Sequence, residues 1–287
     1  QELGRKAEIP QVRAFELKLG QGAKLRGGHV EGSKVTPDIA EIRGVRPYQS
    51  VDSPNRFRQF DDVPSMINWV ERIRSYTGKP VGIKIVVGGY ESVEPLARYM
   101  AESGQGPDFI TVDGGEGGTG ASFQELADSV GLPNKTALML TDTILRKHGV
   151  RDRVKLIASG KLVTPDQAAI ALGMGADLIN IARGFMISVG CIQALRCHSN
   201  ECPVGVATTD PDLQRALVVE EKEYRVTNYV LSLRRGLFRL AGAAGLSSPV
   251  KLGHEHIIYK DRSGAIVPLH RIIQNLEQET LSEKAAI

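Results

Sequence analysis

The sequence predicts an α/β protein of the (β/α)8 TIM-type barrel class, lacking its first strands, with a C-terminal helical extension. Short β-branched runs alternate with longer amphipathic stretches, the pattern of parallel βαβ units. In 81–87, and again over 15–19, the polar residues share one face. Glycine-bearing turns follow three of those strands, where a barrel keeps its active site.

In chain order, strands are expected at 12–19, 81–87, 109–112, 154–158 and 178–182, with helices at 64–76, 92–101, 135–147 and 164–174. The first strand sets Phe15, Leu17 and Leu19 against Glu16 and Lys18. In the second, Val81, Ile83, Ile85 and Val87 share one face, while Gly82, Lys84 and Val86 share the other. An open doubly wound sheet buries both faces and rarely tolerates a central lysine. A barrel strand instead turns its β-branched face to the outer helices and its other face into the lumen. Thr164-Pro165-Asp166 reads as an N-cap followed by proline at the first helical position. Gly78, Gly104, Gly149 and Gly175 follow the four helices, where left-handed C-caps are common.

Only five strands can be counted, and a closed barrel needs eight. Three more are therefore expected upstream or on another chain. Residues 219–244 read as one long helix ended by Gly245 and Pro249. Its apolar face is expected at Val226, Val230, Leu233, Leu237 and Leu240, with the arginines toward solvent. The expected organisation is a barrel portion over 1–218, including the cysteine segment 190–208, and a helical extension packed on it over 219–287.

The 287 residues carry 36 basic side chains, scattered rather than run together, and a net charge of only +3. That balance predicts no nucleic-acid surface. No apolar stretch approaches the ~18 residues of a membrane helix, and the first residues are no secretory signal, so no membrane partner is expected. All three cysteines fall between 191 and 202. An odd number at short spacing argues against a disulfide scaffold and for metal chemistry in a reducing, cytoplasmic setting.

The first glycine-bearing turn is Asp113-Gly114-Gly115-Glu116-Gly117-Gly118-Thr119-Gly120, whose backbone N–H groups can approach a ligand closely. No Gly-Lys-Ser/Thr follows at Walker-loop spacing. Ser159-Gly160-Lys161 and Ala182-Arg183-Gly184 follow the last two strands, the usual phosphate position of barrel proteins. Two ordinary turns with solvent-facing bases are the alternative. Lys84, inside a barrel, needs an anion or strong acceptor beside it. A reduced flavin edge or an ion pair with Glu16 would serve. Cys191, Cys197 and Cys202 suit an iron–sulfur cluster with three irons better than one with four. Zinc with His198 as a fourth ligand competes, and three buried structural cysteines are the bland reading.

These residues resemble the FMN-binding synthase domain of the glutamate synthase family, from about Phe15 to about Leu217. The resemblance is carried by Gly20-Gln21-Gly22-Ala23-Lys24, by Lys34-Val35-Thr36-Pro37 with Ile39-Ala40, and by the loop 113–120. Its strongest part is Gly190-Cys191-Ile192-Gln193, Cys197-His198 and Cys202-Pro203-Val204-Gly205-Val206-Ala207-Thr208. Two places differ from the best-known members: Lys24-Leu25-Arg26-Gly27-Gly28 replaces a Lys-Pro-Gly-x-Gly-Gly run, and Gly160-Lys161 and Arg183-Gly184 replace Gly-Gly and Gly-Thr.

The resemblance implies a barrel carrying FMN and a [3Fe–4S] cluster. Ammonia would condense with 2-oxoglutarate to 2-iminoglutarate, and reduced FMN would deliver hydride to the imine carbon, giving L-glutamate. Cys191, Cys197 and Cys202 would each hold one iron. Ser159, Gly160 and Lys161 with Ala182, Arg183 and Gly184 would cradle the FMN phosphate. Lys84 would lie at the isoalloxazine, near Asp113. Gln21 and Lys24, with the Gly117-Gly118-Thr119 backbone, would hold the oxo-acid or flavin edge, so Lys84, Gln21 and Lys24 are the expected catalytic residues. The implied partners are a glutaminase domain or subunit, an NADPH-oxidising FAD/iron–sulfur subunit or ferredoxin, and a chain supplying the missing strands. An FMN-dependent methylamine–glutamate transferase-like enzyme and a non-catalytic partial barrel are the competing readings.

Overall fold

The computed structural model describes residues 2–22, 29–52, 54, 56–118, 130–260 and 264–273. Its elements in chain order are α1 (Glu2–Glu8), β1 (Phe15–Lys18), β2 (His29–Val30), α2 (Pro37–Arg43), β3 (Val51–Asp52), α3 (Val63–Thr77), β4 (Val81–Ile85), α4 (Glu94–Ser103) and β5 (Phe109–Asp113). There follow α5 (Asn134–Lys147), β6 (Lys155–Ser159), α6 (Pro165–Gly173), β7 (Leu178–Asn180), α7 (Arg183–Ser188), α8 (Pro211–Gln214), α9 (Val219–Ala243), β8 (Ile258–Lys260) and β9 (Ile266–Pro268). No helix among the described residues is long and apolar enough to cross a membrane.

Five parallel strands form one sheet in the order β1-β4-β5-β6-β7, with helices in the crossovers. This is the partial barrel that the alternation predicted. Along one face, Leu17, Ile83, Ile110 and Leu156 stand in register, all 9% exposed or less. They pack against Met66, Ile67, Val70, Leu96, Met100, Leu138 and Leu145 of α3, α4 and α5. On the opposite face the register runs Lys18, Lys84, Thr111, Ile157, Leu178. β1 and β7 are the outermost strands of the sheet among the described residues, and Leu178 is 56% exposed.

The predicted caps explain where the helices stop and start. Gly78 and Gly104 cap α3 and α4 in the left-handed conformation. Gly149 and Gly175 also have positive φ, each one residue beyond the cap. Thr164 caps α6 in a capping box with Gln167.

α9 packs on α6 and α7, but along a line rotated from the expected one. Val226, Leu233 and Leu237 are half-buried, whereas Val230 and Leu240 stay 39% exposed. The contact runs instead through Tyr229, Gly236 and Ala241. A Cβ on Gly236 would lie 2.5 Å from the Pro165 ring, so close approach rather than apolar bulk sets the line. Beyond α9 the described chain is not continuously helical: two 3-10 turns precede the antiparallel pair β8–β9.

At the end of the sheet away from the strands' C-termini, the carboxylate of Asp142 is wholly buried. It accepts from Arg146 Nε and Arg151 Nε, both at 2.6 Å, with His254 Nε2 3.3 Å away. Arg151 also reaches Asp177 at 2.8 Å and the Gly175 carbonyl at 2.7 Å, tying α5 to the start of β7. Burial alone would raise the Asp142 carboxyl, but His254, Arg146 and Arg151 outweigh it and hold it below its ordinary value. Asp142→Asn is expected to cost about 2–4 kcal/mol in urea unfolding at neutral pH, because the buried Arg151 and the neighbouring Arg146 lose their shared anion and Arg151 keeps only the less buried Asp177. A depressed native pKa contributes stability above 3.8 that is lost as pH falls through the lower native value. The gap between wild type and variant should therefore shrink in acid.

Candidate functional site

The C-terminal ends of parallel strands expose backbone groups that the sheet leaves unpaired, and here five loops meet over them. Asp113, Ser159 and Asn180 are Cα partners across β5, β6 and β7, so the three inward-facing side chains form a row at the sheet's upper rim. The loops above this row enclose a cavity of about 470 Å³. Gln21, Lys84, Asp113, Gly117, Gly118, Ser159, Gly160, Lys161, Ala182 and Arg183 line it, and so do all three cysteines. One cavity thus collects residues spread over more than half the chain. Lys24 and Thr119 lie outside the described residues.

Glycine sets the contact between the β1 and β5 loops. Gly22 N donates to the Asp113 carboxylate at 2.8 Å, and Asp113 is 3% exposed. A Cβ on Gly22 would fall 2.0 Å from the Gly114 carbonyl oxygen, and one on Gly117 would fall 2.6 Å from Asp113 Oδ1. The β5 loop is anchored in turn to the start of α5. Asn134 N donates to both Glu116 carboxylate oxygens at 2.9 Å, and Asn134 Nδ2 donates to the Ser159 carbonyl at 2.7 Å. Gly160, at φ +133°, passes so close to this loop that a Cβ would sit 3.2 Å from Gly114 N.

Lys84 has the ion pair that the alternation allowed. Its Nζ lies 3.7 Å from Glu16 Oε1, with Lys84 17% exposed, and Thr111 Oγ1 donates to Glu16 Oε2 at 2.6 Å. The ammonium still faces the cavity. Lys18 donates to the Gln21 amide oxygen and so fixes which way that amide points.

Gly184 does not fit the phosphate turn expected of it. It is absent from the cavity lining and buried against α9, where a Cβ would lie 2.0 Å from Tyr229 Oη. The Tyr229 hydroxyl donates to the Val163 carbonyl at 2.7 Å, so the missing side chain of this glycine admits a helix contact. Arg183, its neighbour, does reach the cavity and donates to Gln193 Oε1 at 2.7 Å, linking α7 to the cysteine segment.

The three cysteines carry no disulfide; Cys202 is buried and the other two are half-buried. Burial pushes the Cys197 thiol up, and Cys191 and Cys202 push it further. Burial also raises Cys202, but the N–H groups of Val204, Ala207 and Val206, together with Lys34, more than offset it and favour the thiolate. Among the described residues no three His, Cys, Asp or Glu side chains converge on a point that holds a single ion. His198, the fourth ligand of the competing zinc reading, has its Nε2 3.9 Å from Glu31 Oε1.

Two residues went unread in the sequence: Asn180, which lines the cavity, and Lys34, which is not one of its lining residues but bonds the cysteine segment. Asn180 follows from extending the β7 alternation by one step beyond Leu178. Lys34 was visible only as part of a motif, because its partners stand 163 and 173 residues further along.

A family model described as a conserved region in glutamate synthase matches residues 5–247. The glutamate synthase large subunit-like protein YerD of Bacillus subtilis is 57% identical over 273 residues, covering 95% of this chain and 52% of the relative. The archaeal glutamate synthase [NADPH] of Methanocaldococcus jannaschii is 33% identical over 238 residues, 82% of this chain and 46% of the relative. The chain thus spans about half the length of the curated relatives it matches. Among solved structures, the flavin-binding domain of baker's yeast flavocytochrome b2 superposes with a TM-score of 0.51 at 15% identity. That match covers 88% of this chain and 49% of the other, and is a likeness of fold alone.

Gly22→Ala is expected to destabilise the protein by about 1–3 kcal/mol, read as a lower urea midpoint, because the added Cβ must displace one of two packed loops. A variant as stable as wild type would mean the Gly22–Asp113 contact does not hold them together.

Proposed function

Because the chain belongs to the glutamate synthase family, we propose that its cavity binds FMN beside an iron–sulfur cluster and that the protein reductively aminates 2-oxoglutarate to L-glutamate. The observation that carries this reading is the single cavity shared by the two late βα turns, Lys84 and the three cysteines. Its volume of about 470 Å³ lies within the ~300–1,000 Å³ of small-molecule sites. Gly160, at φ +133° and lining the cavity at the end of β6, suits a cradle in which backbone N–H groups meet a phosphate. Lys161 and Arg183 stand on the same wall to add charge. The cysteine segment suits a cluster for a similar reason. A cluster carries each thiolate on a different iron, so its ligands need not converge on one point, and backbone N–H donors to sulfur favour the ligating thiolate.

When bound, FMN would supply hydride and a cluster the electrons that replenish it. The protein's own part is placement and charge. Ammonia and 2-oxoglutarate give 2-iminoglutarate with loss of water; hydride at the imine carbon and a proton at nitrogen then give glutamate. The substrate's two carboxylates call for cations and N–H donors, and Gln21 and Gly118, with Lys24 and Thr119 from the adjoining loops, fill that role in this reading. Lys84 would face the flavin edge where negative charge accumulates, its own charge compensated by Glu16 3.7 Å away. Asp113 would hold the Gly22 loop so that Gln21 stays fixed over the site. Ammonia would come from a glutaminase domain or subunit, and electrons from an NADPH-oxidising FAD/iron–sulfur partner or ferredoxin. The barrel would close through strands beside β1 and β7 carried elsewhere.

Anaerobic purification followed by FMN, iron and sulfide quantification tests the cofactors, with one FMN and about three irons per chain expected. The loaded protein, chemically reduced and given 2-oxoglutarate and ammonium, should release glutamate. Lys84→Met should lower that turnover by about 10²–10³-fold. Zinc without flavin would contradict the reading, and FMN without iron in protein kept strictly anaerobic would favour the transferase-like alternative.

A further inference from the structure

Resting on the reading that the three cysteines hold an iron–sulfur cluster, we propose that Lys34 is a positioning residue for that cluster: it fixes the loop 197–207 and supplies the positive charge next to its thiolates. The Lys34 ammonium donates to the Cys197 carbonyl at 2.6 Å and to the Ala207 carbonyl at 2.7 Å. These are the two ends of the segment that carries Cys202 and its N–H donors Val204, Val206 and Ala207. A single cation therefore staples both ends of the loop from outside it. Charge-assisted bonds of this kind are stronger than neutral ones.

The lysine itself is held rigidly. It closes a 3-10 turn, Gly32–Lys34, in which Lys34 N donates to the Glu31 carbonyl at 3.0 Å. Val35, fully buried, follows at once. A Cβ on Gly32 would lie 2.4 Å from the Tyr48 carbonyl oxygen, so the turn is wedged against the chain behind it. In front, Glu31 N donates to the His198 carbonyl at 3.3 Å. The turn 31–34 and the cysteine segment are thus docked by this backbone bond and by the two donated by Lys34, the charged element of that dock. The lysine's bonds to the carbonyl of Cys197 itself and to that of Ala207 place the charge where extra electron density on a cluster would be felt. Inside the loop, Asn200 Oδ1 accepts from Thr209 N at 2.7 Å, so removing Lys34 loosens the segment without undoing it.

Two independent measurements test this on the whole protein. Hydrogen exchange of the amides in 197–207, on cluster-free protein, should speed up by roughly tenfold in Lys34→Met and stay near wild type in Lys34→Arg, which keeps charge and donors. In the loaded protein, Lys34→Met should lose iron to a chelator with about 10–100-fold weaker retention. The cluster that remains should have a lower reduction potential, since less positive charge is left to stabilise the added electron. A purely structural brace would leave the potential where it is. Unchanged exchange across 197–207 overturns the positioning role, and an unchanged potential overturns the charge role. If wild type itself holds no iron, the cofactor reading has failed, and the exchange comparison alone decides whether Lys34 positions the segment.

Discussion

Everything at the site depends on the segregation of polarity across one parallel sheet. The outward faces of β1, β4, β5 and β6 are wholly apolar and sealed by α3, α4 and α5, which fixes the register of each strand. A shift of one residue would drive Lys84 and Asp113 into that layer and Ile83 and Val112 into the lumen, so no near alternative competes. Once the register is fixed, Asp113, Ser159 and Asn180 must stand level at the rim. The loops that follow them then meet over one cavity without any further device.

The cavity walls are held by close backbone contacts more than by side-chain bulk. Gly22, Gly114, Gly117 and Gly160 lie where neighbouring loops approach closely; the buried carboxylate of Asp113 accepts the Gly22 N–H, and the Ser159 carbonyl accepts that of Gly114. The buried cluster around Asp142 does comparable work at the opposite end of the sheet, joining α5 to the entry of β7. α9 adds a third constraint. Tyr229 bonds Val163 and sits over Gly184, so the long helix braces both the β6 and the β7 loops from behind.

Local chemistry was legible in the sequence and distance was not. The alternation in 81–87 and in 15–19 identified the lumen face and put Lys84 and Glu16 on it, because strand periodicity alone decides which way a side chain points. The expected caps at Gly78 and Gly104 and at Thr164 were readable for the same reason. The packing of Gly184 was not legible, because only Tyr229, 45 positions on, shows that its missing side chain makes room for a helix. The buried stripe of α9 was misplaced because hydrophobicity favoured Val230 and Leu240, whereas the fit against Pro165 selected Gly236. Lys34 had no readable role, since nothing near it in sequence announces Cys197 or Ala207.

The central claim is that one cavity at the strand ends receives a flavin and opens onto the cysteine segment. Hydrogen exchange of the protein with and without added FMN tests it most directly. The account predicts slowed exchange confined to the loops 113–118, 159–161 and 182–183 and to the segment 190–207. Protection elsewhere, with those loops unchanged, would contradict it.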